Sequence, residues 1–487
     1  MISVVVLLNI PSDFIPQAKY VFNYFGNSWG LPVDIIFDKN GEAPIHVLYG
    51  FRNEALSLDG AVFIPFDASL YDQQTVCTLC DCDGFAALGK AGTPDTGIDL
   101  VASTFRLLTM VDEHQIDSAS RDKLGNFFVD ALPEGRRRSI DLPLVDYYAA
   151  FLLDKLLALT PELRSNILPR WPHGKKFAVC LTHDSDLIHM GSPIELATAM
   201  VKGFVRRKRV FFDMALEGVR YLHSPMNSSL WGFSGWAEYE MDHNIRSCFY
   251  LPVSPRKSKR RLNDCKSDVF VSGVDWKVFQ SMQKQGWEFG LHPSLDAQKD
   301  LEEIVLQKMA VEERLQAPLM GLRHHYLAID NQNPHLTFEK HVAAGFSYDT
   351  SLGWQEKAGF RTGTSLPFRP YDPVRKRAFQ LIELPLALMD TYVMGQGDVE
   401  VAIKAGRRIA KLICDVGGLI NINWHTETHC SKYIFLNYLT GLKNILEPLL
   451  KDNDAWVTTP MQIAEWWNYR NKELQRNVLG MKNICVE

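Results

Sequence analysis

The stretch LTHDSDLIH, residues 181–189, ends an apolar run with two aspartates. The run, KKFAVC at 175–180, has the length and composition of a strand. Where it stops, Asp184 and Asp186 flank Ser185. Side chains alternate across a strand, so in an extended chain both carboxylates face one spot and Ser185 faces away. Two close carboxylates repel unless a cation or a shared proton compensates. A metal held by one, with the other left as a base, resolves the repulsion. The plainer alternative is a loop in which an aspartate caps the next helix.

Around this stretch, strand-like runs alternate with helical ones. RSCFYLPV (246–253), EFGLHPS (288–294), LMGLRHHY (319–326), FQLIELPL (379–386) and LININWH (419–425) read as strands. DLEEIVLQKMAVEERLQ (300–316) reads as a helix, with Asp300 as N-cap, Glu303 at N3, and an apolar stripe of Leu301, Ile304, Val305 and Met309. This alternation predicts an α/β fold with parallel strands and crossover helices, and it admits a barrel. Earlier in the chain, ISVVVLL (2–8), IHVLYG (45–50) and AVFIPF (61–66) read as strands and VASTFRLLTMVDEH (101–114) as a helix. They predict a smaller mixed α/β domain. The polar segment TPELRSNILPRWPHGKK (160–176) carries three prolines and marks the boundary. A chain of 487 residues exceeds one ordinary core. The expectation is therefore two domains, 1–165 and 166–487.

Composition excludes several classes. Hydrophobic residues make up 46% and charged residues 22%, as in soluble globular proteins, and a net charge of −5 carries no nucleic-acid signature. The basic runs RRKR (206–209) and RKSKRR (256–261) read as solvated loops, with contact to anionic substrate or lipid headgroups as the alternative. The start MISVVVLLNIP lacks the basic region of a secretory signal. LVDYYAAFLLDKLLAL (144–159) is too short for a membrane span and contains Asp146, Asp154 and Lys155, so a buried helix fits it better. Nine cysteines, an odd number, suit reduced thiols and a cytoplasmic location. CTLCDC places Cys77, Cys80 and Cys82 together but offers no second pair to complete a zinc or iron–sulfur site.

Active sites of α/β folds lie beyond the carboxyl ends of parallel strands. Here the polar groups gather at such ends: Asp184 and Asp186 after the first strand, His292 after EFGL, Arg323, His324 and His325 after MGL, and His425 after LININW. One histidine after a strand is commonly a packed or surface residue. Four endings that all carry metal-ligating or acid–base groups point to one pocket if the strands are neighbours.

These stretches resemble the NodB-type polysaccharide deacetylases, metal-dependent carbohydrate esterases with a distorted (β/α)7 barrel. The resemblance is closest to a bacterial branch and rests on HDSD (183–186), GLHPS (290–294), RHHYL (323–327) and WHT (424–426), supported by SYDTSLGW (347–354), GFRTGTSLPF (359–368) and IELPLALMD (382–390). It covers roughly residues 175–430. DLVASTFRLLTMVDEH (99–114) resembles the uncharacterised domain that often precedes this barrel. The resemblance implies Asp184 as general base, Asp186 and His292 as metal ligands, Arg323 as the residue that orients the base, and His425 as the acid that protonates the leaving amine. The family's first motif has adjacent aspartates, where Ser185 intervenes here; the D-x-D form also occurs in relatives acting on lipid-linked sugars. Its second motif has two histidines four residues apart, and here Asp296 stands four after His292. The third ligand is then Asp296 or His325. His325 is preferred, because it shares the strand-end direction of Arg323 and Pro293 disfavours a helical turn at His292.

One Asp and two His leave positions on a divalent ion open for water and substrate. The expected cofactor is one such ion, Zn²⁺, with Co²⁺, Mn²⁺ or Ni²⁺ as alternatives. The expected reaction is hydrolysis of an N-acetyl or other N-acyl group on a saccharide, nucleotide- or lipid-linked, in surface-polysaccharide synthesis. A D-x-D glycosyltransferase and a non-catalytic saccharide-binding protein are the rivals. The histidine and arginine endings are not required by the first, and the filled site positions argue against the second. HTETH (425–429) has its glutamate at 427 and so is not the zincin H-E-x-x-H. His183 reads as packed. Asp349, Trp354 and Asp390 are each open between pocket and core.

Overall fold

The structure, a computed structural model, describes residues 2–37, 44–51, 60–90, 97–122, 125–186, 224–228, 231–253, 274–429 and 435–484, with a few isolated positions. The basic runs at 206–209 and 256–261 lie outside the described residues.

In the amino-terminal half, the β-branched runs form β1 (Val4–Asn9), β2 (Val33–Ile36), β3 (Val47–Gly50) and β4 (Val62–Pro65). They make a parallel sheet in the order β2-β1-β3-β4. The helix Ile15–Trp29 crosses between β1 and β2; a proline opens it, and Gly30 closes it at φ 77 in the left-handed region. The cysteine cluster falls on β5 (Cys77–Cys82), which pairs antiparallel with β6 (Phe85–Lys90). Alternation places Cys80 and Cys82 on one face and Cys77 on the other. The helix expected over 101–114 runs only Leu100–Leu108, because Met110 turns left-handed (φ 56) and the chain continues as a 3₁₀ turn. The helix Leu144–Leu159 buries Leu144, Val145, Tyr148, Leu152 and Leu156. No helix among the described residues is long and apolar enough to cross a membrane.

The second half is built on β7 (Phe177–Asp184), β8 (Cys248–Pro252), β9 (Glu288–His292), β10 (Gly321–Leu322), β11 (Tyr348–Asp349), a small antiparallel pair β12 (Tyr371–Asp372) and β13 (Arg377–Ala378), then β14 (Ile382–Glu383), β15 (Leu388–Met389), β16 (Leu419–Asn423) and β17 (Ala455–Val457). The main sheet is parallel, in the order β14-β11-β10-β9-β8-β7-β16-β15, with β17 also on β7. Flat neighbouring strands lie about 4.8 Å apart. Arg323, just beyond β10, would then sit about 14 Å from β7, yet its Nη1 donates to Thr182 Oγ1 at 2.8 Å. Asn421 on β16 reaches Thr350 beyond β11 at 2.7 Å, five strands away. The sheet is therefore curled, with its polar interior side chains meeting across it.

Two expected strands are short. LMGLRHHY contributes only Gly321–Leu322, and FQLIELPL only Ile382–Glu383, before Pro385 removes a ladder donor. Gly321 has a packing reason: the Tyr348 ring occupies the place where a Cβ would stand, its Cζ 1.8 Å away. The helix Leu301–Leu315 is capped by Asp300, which accepts from the N–H groups of Glu302 and Glu303 at 3.0 and 3.3 Å. Its buried face is Ile304, Gln307, Val311 and Leu315, whereas Leu301 and Met309 are exposed. Gln307 turns inward because its amide binds Ser294 through the backbone N–H (3.0 Å) and the hydroxyl (2.7 Å), tying down the loop after His292.

The halves share one continuous apolar core running from Val4 to Ala455. Polar ties cross it: Tyr20 Oη donates to Arg369 O (2.9 Å), and Arg361 pairs with Glu113 through both carboxylate oxygens (3.1 and 2.7 Å).

Candidate functional site

All strands of the main sheet are parallel, so their carboxyl ends lie at one end of it, where the curl brings distant residues together. Asp184 closes β7, buried. Its Oδ1 accepts from Arg323 Nη1 (2.9 Å) and its Oδ2 from Asn423 Nδ2 (2.8 Å), while its backbone N–H donates to Asn423 Oδ1 (3.1 Å). Ser185 faces Thr426, Oγ to Oγ1 2.9 Å.

Arg323 is fully buried, with Nε on Thr350 O (3.1 Å), Nη2 on Thr350 Oγ1 (3.1 Å) and its plane 4.7 Å from the Tyr250 ring centre. Burial opposes its charge, but Asp184, through its charge and its hydrogen bond, together with Tyr250 and Cys248 outweighs this and raises its pKa. His324 is extended (φ −66, ψ 137), so Arg323 and His325 leave the strand toward the site and His324 leaves the other way. His324 Nε2 meets His341 Nε2 at 2.8 Å, and His341 Nδ1 lies 3.0 Å from Asp349. The turn after His325 is strained: Tyr326 (φ 58) and Leu327 (φ 49) are both left-handed, and Gln355 donates to the Tyr326 carbonyl.

Asp186, His292 and His325 form the set of donors fit for a metal among the described residues, their ligand atoms all within 4.8 Å of one another. His292 Nδ1 lies 2.6 Å from the Arg323 carbonyl oxygen, which only accepts, so that nitrogen carries the proton. The lone pair of a neutral His292 is then on Nε2, which sits 2.9 Å from Asp186 Oδ1 without hydrogen-bond geometry. Two lone pairs so close suit two ligands of one cation, and the carbonyl that fixes the ring is the usual support of a metal histidine. His325 Nε2 stands 3.5 Å from Asp186 Oδ2. Burial alone would raise the Asp186 carboxyl; the histidines around it, His325 first, hold it well below the usual carboxylate range. The Asp296 side chain lies outside the described residues.

His425 follows β16 beside this set, its Nε2 3.4 Å from Asp186 Oδ2. Burial would lower its pKa, but Asp390 and Asp186 hold it well above the ordinary histidine value. Glu427, two residues on, is pushed up to about 8 by burial, with His425 opposing and Asp186 adding to the rise.

Three partners escaped the sequence reading. Asn423 had a signal, the Asn421–Asn423 alternation inside an otherwise apolar strand. Thr182 and Tyr250 had none. Asp390, open in the sequence, bonds His425. Asp349 is buried with His341 and Ser351, while Trp354 is buried against Ile116 and Ile140 between the halves. His183 binds the Trp424 carbonyl (2.5 Å) and Glu240 (3.0 Å), away from the site.

No protein-family model matches the chain, and no curated protein does. Among solved structures it is similar to a candidate polysaccharide deacetylase from Mycobacterium smegmatis, at 20% identity over 62% of this chain and 93% of that one, TM-score 0.41. It is also similar to a mutant CE4-family pseudoenzyme with restored enzymatic activity, at 10% identity over 62% and 73%, TM-score 0.29.

Proposed function

We propose that this protein is a metal-dependent hydrolase that removes an N-acyl group, acetyl first among them, from a saccharide, on a NodB-type (β/α)7 barrel preceded by a smaller amino-terminal α/β domain packed against it. The observation that carries the reading is the placement of the Asp186–His292–His325 donor set beside two further groups of opposite character. One is a carboxylate held by Arg323 and Asn423; the other is an imidazole held by Asp390.

A bound divalent ion, Zn²⁺ in our reading, would polarise the acyl carbonyl and acidify water. Asp186, His292 and His325 would hold it. Asp184 takes the proton from the attacking water; Arg323 holds its carboxylate in place through the Nη1 hydrogen bond. His425 Nε2 gives its proton to the leaving nitrogen, without which an amine departs poorly. Asp390 keeps His425 Nδ1 protonated, so that Nε2 is the nitrogen that faces the reaction.

The test is acetate release from a panel of N-acetylated saccharides, free, nucleotide-linked and lipid-linked. Release that stops on chelation, returns with Zn²⁺ and is lost in Asp184→Asn supports the reading. Release untouched by chelation, or none from any member of the panel, overturns it.

A further inference from the structure

A cleft of about 570 Å³ opens between the two halves. Ser118 and Arg121 line it from the amino-terminal side, and Gln298, Lys299, Asp330 and Gln332 from the other. The second group belongs to the loops that follow β9 and β10, the loops that begin with His292 and with Arg323 and His325. In a parallel sheet those loops share the end that carries the candidate site. Ile329, also on the wall, is four residues from His325, so the two Cα atoms are at most about 14 Å apart.

The wall is held in place from both sides. Asn331 donates to the Gly125 carbonyl of the amino-terminal half (3.0 Å) and accepts from Arg361 (2.5 Å), which is itself paired with Glu113. Arg121 bonds three carbonyls, those of Ile116, Gly125 and Glu113, at 3.0, 3.1 and 2.6 Å, so it shapes its loop. Lys340 bonds the Leu336 carbonyl at 3.0 Å. Among the described residues the lining is hydroxyl, amide and charge of both signs, with no aromatic side chain. Such a surface suits a chain rich in hydroxyls better than an apolar or a strongly anionic ligand, and the volume falls within the range of ligand pockets.

We propose that this cleft holds sugar residues beyond the one that loses its acyl group, so that the amino-terminal half reads the substrate as an oligosaccharide. The proposal rests on the deacylase reading above for what happens to that chain, but not for its binding. The experiment uses an immobilised array of N-acetylated oligosaccharides two to six residues long. It is probed with the full-length protein and with Ser118→Trp and Gln332→Trp at exposed positions of the cleft. The expected result is binding of oligosaccharides of three or more residues by wild type. Each tryptophan variant should lose at least tenfold in signal while keeping the wild-type melting temperature. Binding equal in wild type and both tryptophan variants, or no oligosaccharide bound by wild type, overturns the proposal. If array binding depends on the cleft but no bound oligosaccharide releases acetate, the cleft stands and the deacylase reading falls.

Discussion

His425 and Asp390 form a two-point clamp: the imidazole Nδ1 lies 2.6 Å from Asp390 Oδ1, and the His425 backbone N–H donates to Asp390 Oδ2 at 2.7 Å. A carboxylate accepts only, so the Nδ1 proton is fixed and Nε2 faces Asp186. An asparagine at 390 could donate to Nδ1 instead and reverse the tautomer. Asp390→Asn should therefore cut acetate release by about 10²–10⁴-fold, the usual range for a positioned acid, with metal content unchanged. Turnover within twofold of wild type would remove His425 from the acid role.

The two aspartates of the opening stretch should separate in their effects. Asp186 touches His292, His325 and His425, whereas Asp184 is spent on Arg323 and Asn423. Asp186→Asn should lose metal and activity together; Asp184→Asn should keep about one equivalent of metal and lose activity. Elemental analysis of both variants purified without chelator decides it, and an active Asp184→Asn would show that the base lies elsewhere.

For the third ligand, the MGL ending supplies His325 within the donor set. His325→Ala should weaken metal binding by at least 10–100-fold, the scale reached even by losing a supporting group around a metal, while Asp296→Ala changes it little. Competition against a zinc chelator gives both affinities. The reverse order would move the ligand to Asp296.

Arg361 and Glu113 are a buried pair that joins the halves. Removing one partner leaves the other charged in a site closed to water, at a cost of about 3–5 kcal/mol. Arg361→Ala should lower the urea midpoint accordingly. A loss under 1 kcal/mol would show that the halves do not depend on this contact.

Glu288 predicts a pH dependence far from the metal set. Burial raises its carboxyl to about 7 from an ordinary 4.5, although the Tyr348 hydroxyl and the Met461 N–H favour the charged form. Because the folded pKa is the higher one, the folded state holds a proton that the unfolded chain releases. Stability should thus fall from about pH 4.5 to about pH 7, by on the order of 3 kcal/mol, and then level off. In Glu288→Gln that decline should shrink; an identical decline in denaturation curves measured across this range would assign it to other groups.

The local pattern of the sequence marked Asp184, Asp186, His292, Arg323, His324, His325 and His425 as polar groups at strand ends. Alternation along a strand and the position of polar groups at its end act over a few residues, and both can be read without knowing the neighbours. The same pattern marked parallel strands with crossover helices. It could not say that Arg323 would cross from β10 to Asp184, or that Asn423 and Asp390 would serve residues 239 and 35 positions away. Nor could periodicity orient the helix Leu301–Leu315, whose inward face contains Gln307 because Ser294 stands opposite it. Those choices belong to the order of strands in the sheet and to its curl, which bring together groups that no local periodicity relates.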